Sequence, residues 1–346
     1  MAVTAETLRA VEALRERMRY MTDEQTRALT RAWVEAWDIL LPDFEEALAD
    51  LFEGAEGYIT KATVARNVRL KGALQAARAH LQELGGLTDE IVTSDLPQAV
   101  YDAVDGHAAI IQSQLPPGSA GATISFTRVP DEALAVLVER TTQQIHASTQ
   151  PLPADVERLM KRELVRGIAV GDNPRTVAAA MIKKAEQRFN GGLSRALNIS
   201  RTEMLDAHRA ATQASEKANT EILAEWEWHA RLDARTCPSC LAQHGSRHKL
   251  SEQGPLDHQQ GRCARVSITK SWKDLGFDIE EPKSITPNAQ DWFNNLTPDT
   301  QRDILGPTRL KMLQDGDIAW SDLSVRRSTT GWRDSYNVPS IKQLAK

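Results

Sequence analysis

All three cysteines of this 346-residue chain lie within one stretch of 27 residues, from Cys237 to Cys263. An odd number of thiols cannot pair completely into disulfides, and the chain has no other cysteine to take the third. The sequence Cys237-Pro-Ser-Cys240 puts two sulfurs on a tight turn, where both can reach one metal ion. The pattern favours a metal site, and three buried cysteines without a function are the alternative.

A histidine near the third cysteine completes a candidate ligand set. His258 lies five residues before Cys263, so each end of the loop would supply two ligands. Cys237, Cys240, His258 and Cys263 together form the Cys₃His set that is typical of structural zinc, with every coordination position filled. We expect one Zn²⁺ per chain, bound by these four residues.

Other polar residues of the same loop leave the fourth ligand open. His244 and His248 also lie between the cysteines, and we interpret them as solvated loop residues because His258 is the histidine beside Cys263. Asp257 could orient the imidazole of His258 from outside the ligand set, or serve as a turn residue. The 17 residues between Cys240 and His258 offer little core of their own, so metal binding is expected to order them.

A catalytic role for the metal has little support in the sequence. The chain contains no His-x-Glu, as the zinc deaminases have, and no His-Glu-x-x-His, phosphate-binding glycine loop or Gly-x-Ser-x-Gly. Asp257-His258 is similar to the Asp-His of HNH-type nucleases, but that interpretation needs a second Cys-x-x-Cys and a downstream Asn or His pair. The sequence favours a protein that is not an enzyme, with a zinc-supported, HNH-like nuclease acting on DNA as the alternative.

The charge is segregated along the chain. Residues 1–115 carry 11 basic and 19 acidic side chains, whereas residues 116–346 carry 31 and 28. An acidic surface does not bind nucleic acid, because phosphate contacts need clustered Lys and Arg, while the second part permits such contact. No apolar run approaches the ~20 residues that cross a bilayer, and the charged N-terminus lacks a signal core. We expect no membrane partner and a cytoplasmic site of synthesis.

Helical periodicity covers most of the chain. A short helix is predicted over 4–20, and a second helix begins at Thr22, with Gln25 completing a capping box. Trp33 and Trp37 belong to an apolar helical stripe, which favours packing in a core over an exposed partner-binding face. Further helices are predicted over 58–84, 87–95, 97–114, 131–147, 153–168, 174–188 and 194–218.

Strand patterns flank the cysteines. Trp226 and Trp228 alternate with Glu225 and Glu227, which predicts a half-buried strand, and the sequence after Cys263 predicts a second one. The last 75 or so residues are rich in Pro and Asn, with brief helices over 297–305 and 307–314, and are interpreted as an extended tail without a core of its own.

These elements predict a mainly α (α+β) fold in three parts. A helical N-terminal domain occupies 1–115, and a helical core with a small β-containing zinc-knuckle subdomain (225–270) occupies 116–270. The extended C-terminal tail occupies 271–346.

The order of these motifs resembles the phage Mu F-like head morphogenesis family of minor capsid proteins. The resemblance covers about residues 150–270: a helix with "SRTEMLDAHRAA", a Trp-rich strand, "DARTCPSC", and a loop that ends "DHQQGRCARV". The positions that match the family pattern are Arg201, Thr202, Glu203, Asp233, Arg235, Thr236, Cys237, Cys240, Gly245, Pro255, His258 and Cys263. The chain departs from the pattern at Gly261, where the family's Cys-Arg-Cys ending has its first cysteine.

The resemblance implies a minor capsid protein of a tailed bacteriophage. Such a protein would bind the portal inside the procapsid and aid head assembly, in the host cytoplasm first and then at the portal vertex of the virion. Scaffolding protein, major capsid protein and packaged double-stranded DNA are the other partners to expect. Arg201, Glu203, Asp233 and Arg235 are assigned structural roles. Arg201 and Glu203 cannot face one another on a helix, so each is expected to form an ion pair with the zinc subdomain.

Overall fold

The computed structural model describes residues 3–53, 59–117, 127–167, 174–258, 261–328 and 334–345. Helices account for 68% of them, and the strands are few and short, which confirms the mainly α fold. In chain order the helices are α1 (Ala5–Glu53), α2 (Lys61–Arg66), α3 (Val68–Gln112), α4 (Asp131–Thr149), α5 (Leu152–Arg166), α6 (Pro174–Ala218), α7 (Pro238–Gln243), α8 (Ala289–Asn294), α9 (Pro298–Leu305), α10 (Pro307–Gln314) and α11 (Ile341–Leu344), with a 3₁₀ turn at Trp320–Leu323. The strands are β1 (Leu223–His229), β2 (Arg247–Lys249), β3 (Ala264–Thr269), β4 (Val325–Arg327) and β5 (Ser335–Asn337).

Helix α1 runs without a break through Thr22, where the sequence predicted a new helix. Thr22 and Gln25 are both buried, and the polar groups of Gln25 are used in tertiary contacts. The Gln25 amide donates to Asp95 Oδ2 at 2.9 Å, and its carbonyl accepts from Ser200 Oγ at 2.6 Å. The predicted break is wrong because the capping pattern reflects hydrogen bonds to other helices. Helix α3 likewise continues through Pro97.

The described residues form two compact units, and one of them is purely helical. It consists of Tyr20–Pro97 and Glu139–Met204. Trp33 and Trp37 lie in its core, as predicted, with 0% and 6% of their surface exposed. The indole Nε1 of Trp33 donates to the carbonyl of Phe189 at 3.2 Å, and the rings of Trp37 and Phe189 are 5.3 Å apart.

The other unit contains the cysteines and the sheet. It consists of Met1–Arg19, Gln98–Val138 and Leu205–Lys346, and its three-stranded antiparallel sheet has the order β2-β1-β3. Strand β1 was predicted to be half-buried, but Glu227 and His229 are buried as well as Trp226 and Trp228. The polar face is tolerated because its groups pair, with His229 Nε2 2.8 Å from Glu227 Oε1.

The C-terminal segment was predicted to lack a core, and that prediction is wrong for residues 289–323. Helices α8 to α10 and the 3₁₀ turn pack a hydrophobic cluster around Phe293, which is 1% exposed. Leu241 of α7 belongs to the same cluster, so this segment packs against the helix that carries Cys240. The helices predicted over 297–305 and 307–314 are confirmed as α9 and α10.

None of the helices in the described part of the chain has the length and apolarity to cross a membrane. The domain limits near residues 115 and 270 stay predictions. The residues 118–126, just after the first of these limits, lie outside the described residues.

Candidate metal centre

Helix α7 brings the first two thiols together. Cys237 is its N-cap, with extended backbone, and Pro238 occupies the first helical position, where its missing N–H costs nothing. The Sγ atom of Cys237 accepts a hydrogen bond from the backbone N–H of Cys240 at 3.4 Å. The short distance between the two sulfurs is therefore a consequence of the cap and the first turn.

His258 completes a compact group of donors. One ligand atom each of Cys237, Cys240 and His258 lie within 4.8 Å of one another, close enough to hold a metal ion. Cys263 lies outside this mutual group, but its thiol is within hydrogen-bonding reach of the Cys240 thiol. The structure thus gathers three of the four predicted ligands and places the fourth beside them.

The thiols already differ in acidity within this cluster. The hydrogen bond from the Cys240 thiol, and then the contact with His258, lower the pKa of Cys237 to about 5. The pKa of Cys240 is raised, because its proton bridges to the sulfurs of Cys237 and Cys263. Metal binding would displace the thiol protons, because cysteines bind metals as thiolates.

A buried arginine of α6 anchors the second ligand arm, which we define as residues 255–258 and 261–263. The Nη2 of Arg209 donates to Asp257 Oδ2 at 2.9 Å and to the carbonyls of Gly261 and Cys263, each at 3.1 Å. Asp257 Oδ2 also accepts from the backbone N–H of Cys263 at 3.2 Å. Through these contacts Asp257 organises the arm that carries His258, and its orientation of the imidazole of His258 stays a prediction.

A second ion pair joins the second ligand arm to the turn before Cys237. Asp233 precedes Cys237 in a turn in which its Oδ1 accepts from the N–H of Arg235 at 2.9 Å. Both carboxylate oxygens of Asp233 also accept from the guanidinium of Arg262, at 2.6 and 2.8 Å. This pair holds the pKa of Asp233 at about 2. The side chain of Arg235 is exposed, so the structure gives it no structural contact beyond its backbone.

The loop before the second arm is anchored by another buried charge. Arg265 of β3 pairs with Glu216 of α6 at 2.7 Å, and its guanidinium donates to the carbonyls of Leu250, Glu252 and Gly254. The side chains of Arg265 and Glu216 are only 1% and 0% exposed. The order of this loop therefore has a source in addition to the metal.

His244 and His248 are ordered side chains, and their interpretation as solvated loop residues is wrong. His244 Nδ1 accepts from the N–H of Ala230 at 3.0 Å, while Nε2 lies 3.1 Å from the carbonyl of Pro287. Burial lowers the pKa of His244 to about 4. The ring of His248 stacks on Trp226, with centroids 4.3 Å apart. Each ring is engaged elsewhere, which supports His258 as the histidine of the centre.

Arg201 and Glu203, the residues of α6 with predicted structural roles, belong to the purely helical unit. Arg201 pairs with Asp23 of α1 at 3.5 Å, and not with the zinc subdomain as predicted. Glu203 is buried, at 8% exposure, and the partner expected for it stays a prediction.

Arg209, Glu216 and Arg265 were not predicted from the sequence, although Arg209 and Arg265 donate hydrogen bonds to the loop and Glu216 pairs with Arg265. A signal existed for two of them. Arg209 and Glu216 are seven residues apart on α6 and thus lie on one face, with the buried Thr212 between them. A charged residue on a buried helical face is uncommon unless it is paired, so both positions predict buried partners.

The donors present suit a transition metal. Two thiols and an imidazole form a soft set with the ligand types of structural zinc sites, and a third thiol is adjacent. Asp257, the nearest carboxylate in sequence, is held by Arg209, so the centre offers sulfur and nitrogen ligands. With Cys263 as the predicted fourth ligand, such a set would organise a loop and leave no position open for substrate.

Among the comparisons with known proteins, only the one with family models gives a match, and it covers this part of the chain. No curated protein and no solved structure matches the chain. Residues 159–265 match a family model, and this range contains α6, β1, β2, the first two residues of β3 and all four predicted ligands. The resemblance inferred from the motifs is thereby confirmed: over residues 159–265, the chain is similar to the family of Phage Mu protein F like protein.

Proposed function

We propose that the chain is a minor capsid protein of a tailed bacteriophage, which binds the portal inside the procapsid and aids head assembly. The observation that carries this proposal is the family match over 159–265, which spans the candidate metal centre and its anchors. The protein would be made in the host cytoplasm and would end in the virion, at the portal vertex. Scaffolding and major capsid proteins are further candidate partners.

The metal in this proposal is one structural Zn²⁺ per chain. Cys237, Cys240, His258 and Cys263 would hold it, and its role would be to fix the loop between β1 and β3. The burial of Asp257 supports this role over a nuclease. Asp257 is 0% exposed and is engaged by Arg209, whereas a nuclease would need its Asp-His pair to face DNA.

The exposed side of α1 is our candidate for portal docking. Val34 and Ile39 are 53% and 61% exposed, which is unusual for aliphatic side chains on a helix. Glu35 and Asp38 flank them and are exposed too. Two exposed aliphatic side chains with exposed acidic neighbours suit a protein partner, since the acidic side chains would repel DNA.

Helices α5 and α6 offer a contrasting surface for packaged DNA. The pair is held side by side by Arg188 to Glu163 at 3.0 Å and Arg195 to Asp155 at 2.8 Å. The exposed basic side chains on these two helices are Arg158, Lys161, Arg162, Arg166, Arg175, Lys183, Lys184, Arg188 and Lys217. Such a surface would contact the phosphate backbone without reading sequence.

Co-expression with the portal protein of the same phage tests the main proposal. The full-length chain should form a complex with portal that survives gel filtration. Replacing both Val34 and Ile39 by Ser should weaken the complex, whereas Val68→Ser, at an even more exposed valine on α3, should leave it intact. Deletion of 271–346 is not a clean test, because it would also expose Leu241 of α7. Absence of any complex with the unaltered chain would count against the proposal.

The nuclease alternative has its own test. Pure protein is incubated with plasmid and Mg²⁺ or Mn²⁺ beside the His258→Ala variant. The proposal predicts no cutting by either protein. Metal-dependent cutting that the substitution abolishes would favour the nuclease.

A further inference from the structure

We propose that Arg209 is a positioning residue of the metal centre: its guanidinium holds the second ligand arm so that His258 and Cys263 face Cys237 and Cys240. This inference rests on the proposed metal centre, and it assigns part of the metal affinity to helix α6. Three observations on the arm carry it.

The first observation is where the guanidinium touches the arm. A single nitrogen, Nη2, lies within 3.1 Å of an oxygen of Asp257, Gly261 and Cys263. Asp257 immediately precedes His258, and Cys263 is itself a predicted ligand. The contacts therefore hold the Asp257 side chain next to His258 and the backbone at Gly261 and Cys263.

The second observation is that the arm closes around the guanidinium. Asp257 Oδ2 accepts both from Arg209 and from the N–H of Cys263. The N–H of Gly261 donates to the carbonyl of His258 at 2.9 Å. These bonds set the separation of His258 and Cys263, although the arm contains no helix or strand.

The third observation is that the guanidinium of Arg209 and the carboxylate of Asp257 are both buried charges. Arg209 is 8% exposed and Asp257 0%, so each ion needs the other. Asp206 Oδ1 accepts from Nη1 of Arg209 at 3.1 Å and adds a second countercharge. The charged guanidinium is therefore paired within the unit, and most of its hydrogen bonds are donated to the arm.

Without these contacts the arm would have to be ordered by the metal alone. The entropy of ordering the backbone would then be subtracted from the free energy of metal binding. Loss of an outer-shell contact to a metal ligand typically lowers metal affinity about 10–100-fold. We expect a loss in this range for Arg209→Gln and a smaller one for Arg209→Lys, whose amino group can keep one bond to Asp257.

The experiment measures Zn²⁺ affinity of the full-length chain by competition with a chromophoric chelator. Arg209→Gln, Arg209→Lys and Asp257→Asn are compared with Thr212→Ala, a matched control on α6. Thr212 is buried too, but its Oγ1 donates only to the helix carbonyl of His208. The control should bind Zn²⁺ as tightly as the unaltered chain, and circular dichroism should show the same helix content in all variants.

Two further readouts separate positioning from general destabilisation. Co²⁺-loaded variants at Arg209 should show altered d–d absorption, because a displaced ligand changes the ligand field, whereas Thr212→Ala should not. Asp257→Asn in the Arg209→Gln background should add little to the single loss, since both act through one contact. If Arg209→Gln does not fold, Arg209→Lys and Asp257→Asn decide the question.

The outcomes distinguish the two proposals. If the unaltered chain binds neither Zn²⁺ nor Co²⁺, the proposed metal centre is wrong. If the unaltered chain binds and the Arg209 and Asp257 variants bind with equal affinity and an unchanged Co²⁺ spectrum, only the positioning role of Arg209 is overturned.

Discussion

A β-carbon built on Gly261 would lie 2.0 Å from Oδ2 of Asp257, closer than any side chain can stand. The carboxylate cannot easily withdraw, because Arg209 and the N–H of Cys263 hold the same oxygen. The family pattern has a cysteine at this position, and the chain departs from it with glycine. In this chain Asp257 fills the space that a cysteine side chain would need.

Gly261→Ala should therefore disrupt the second ligand arm. Overpacking against a held group typically costs about 1–3 kcal/mol, and here the displaced group is next to His258. We expect a lower thermal midpoint and weaker Zn²⁺ binding, measured by calorimetry and chelator competition. Gly191→Ala is the control, because its β-carbon on α6 meets nothing within 4 Å. Equal behaviour of the two variants would contradict the proposed packing.

Removal of one ligand should abolish stable metal binding. Elemental analysis of protein purified without chelator should give about one equivalent of zinc per chain. Cys237→Ser should lose the metal and loosen the 233–263 loop, detected by limited proteolysis, while the helices persist by circular dichroism. His258→Ala should also lose it, whereas His248→Gln, a change to the histidine stacked on Trp226, should retain it. Zinc retained after His258→Ala would assign the fourth position elsewhere.

A buried histidine should make stability depend on pH. His107 lies between Ser215 Oγ and Ser267 Oγ, each 2.7 Å from a ring nitrogen, and burial lowers its pKa to about 3. The unfolded chain takes up this proton near pH 6.5, so stability is lost as the pH falls from there toward 3.

The pH effect can be measured against His107→Gln. Between pH 7 and 5.5 the unaltered chain should lose about 1.3 kcal/mol more unfolding free energy than the variant. Denaturant unfolding in the presence of a chelator keeps metal release out of the comparison. The same pH slope for both proteins would show that folding does not lower the pKa of His107.

The C-terminal segment should contribute to stability as a core does. Phe293→Ala should destabilise the unit by about 3–5 kcal/mol, because it leaves a cavity among α8 to α10 and Leu241. Ile285→Ser, at a site that is 50% exposed, is the control and should have little effect. A loss of stability in Phe293→Ala as small as that in the control would show that this segment has no core of its own.

Local spacing was sufficient to predict the ligand group. Cys237 and Cys240 meet because of a turn three residues long, and the strands on either side bring His258 to them. Local spacing could not predict the tertiary contacts that order the loop. Arg209 reaches Asp257 across 48 positions, and no local pattern encodes a contact of that separation.

The errors have the same physical origin. Gln25 matched a capping box, yet its amide bonds Asp95 and Ser200, far away in sequence. His244 resembled a solvated loop residue because its partners, Ala230 and Pro287, come from segments that only the tertiary fold brings near. Polar residues with distant partners look like caps or loops when the sequence alone is considered.

Mass spectrometry of purified virions tests the central claim most directly. If the chain is a minor capsid protein, its peptides should be found in density-purified particles of the phage that encodes it, at a low and constant ratio to portal peptides. Particles treated with protease before lysis should retain these peptides, because the protein would lie inside the shell. Virions that contain portal but none of this chain would contradict the account.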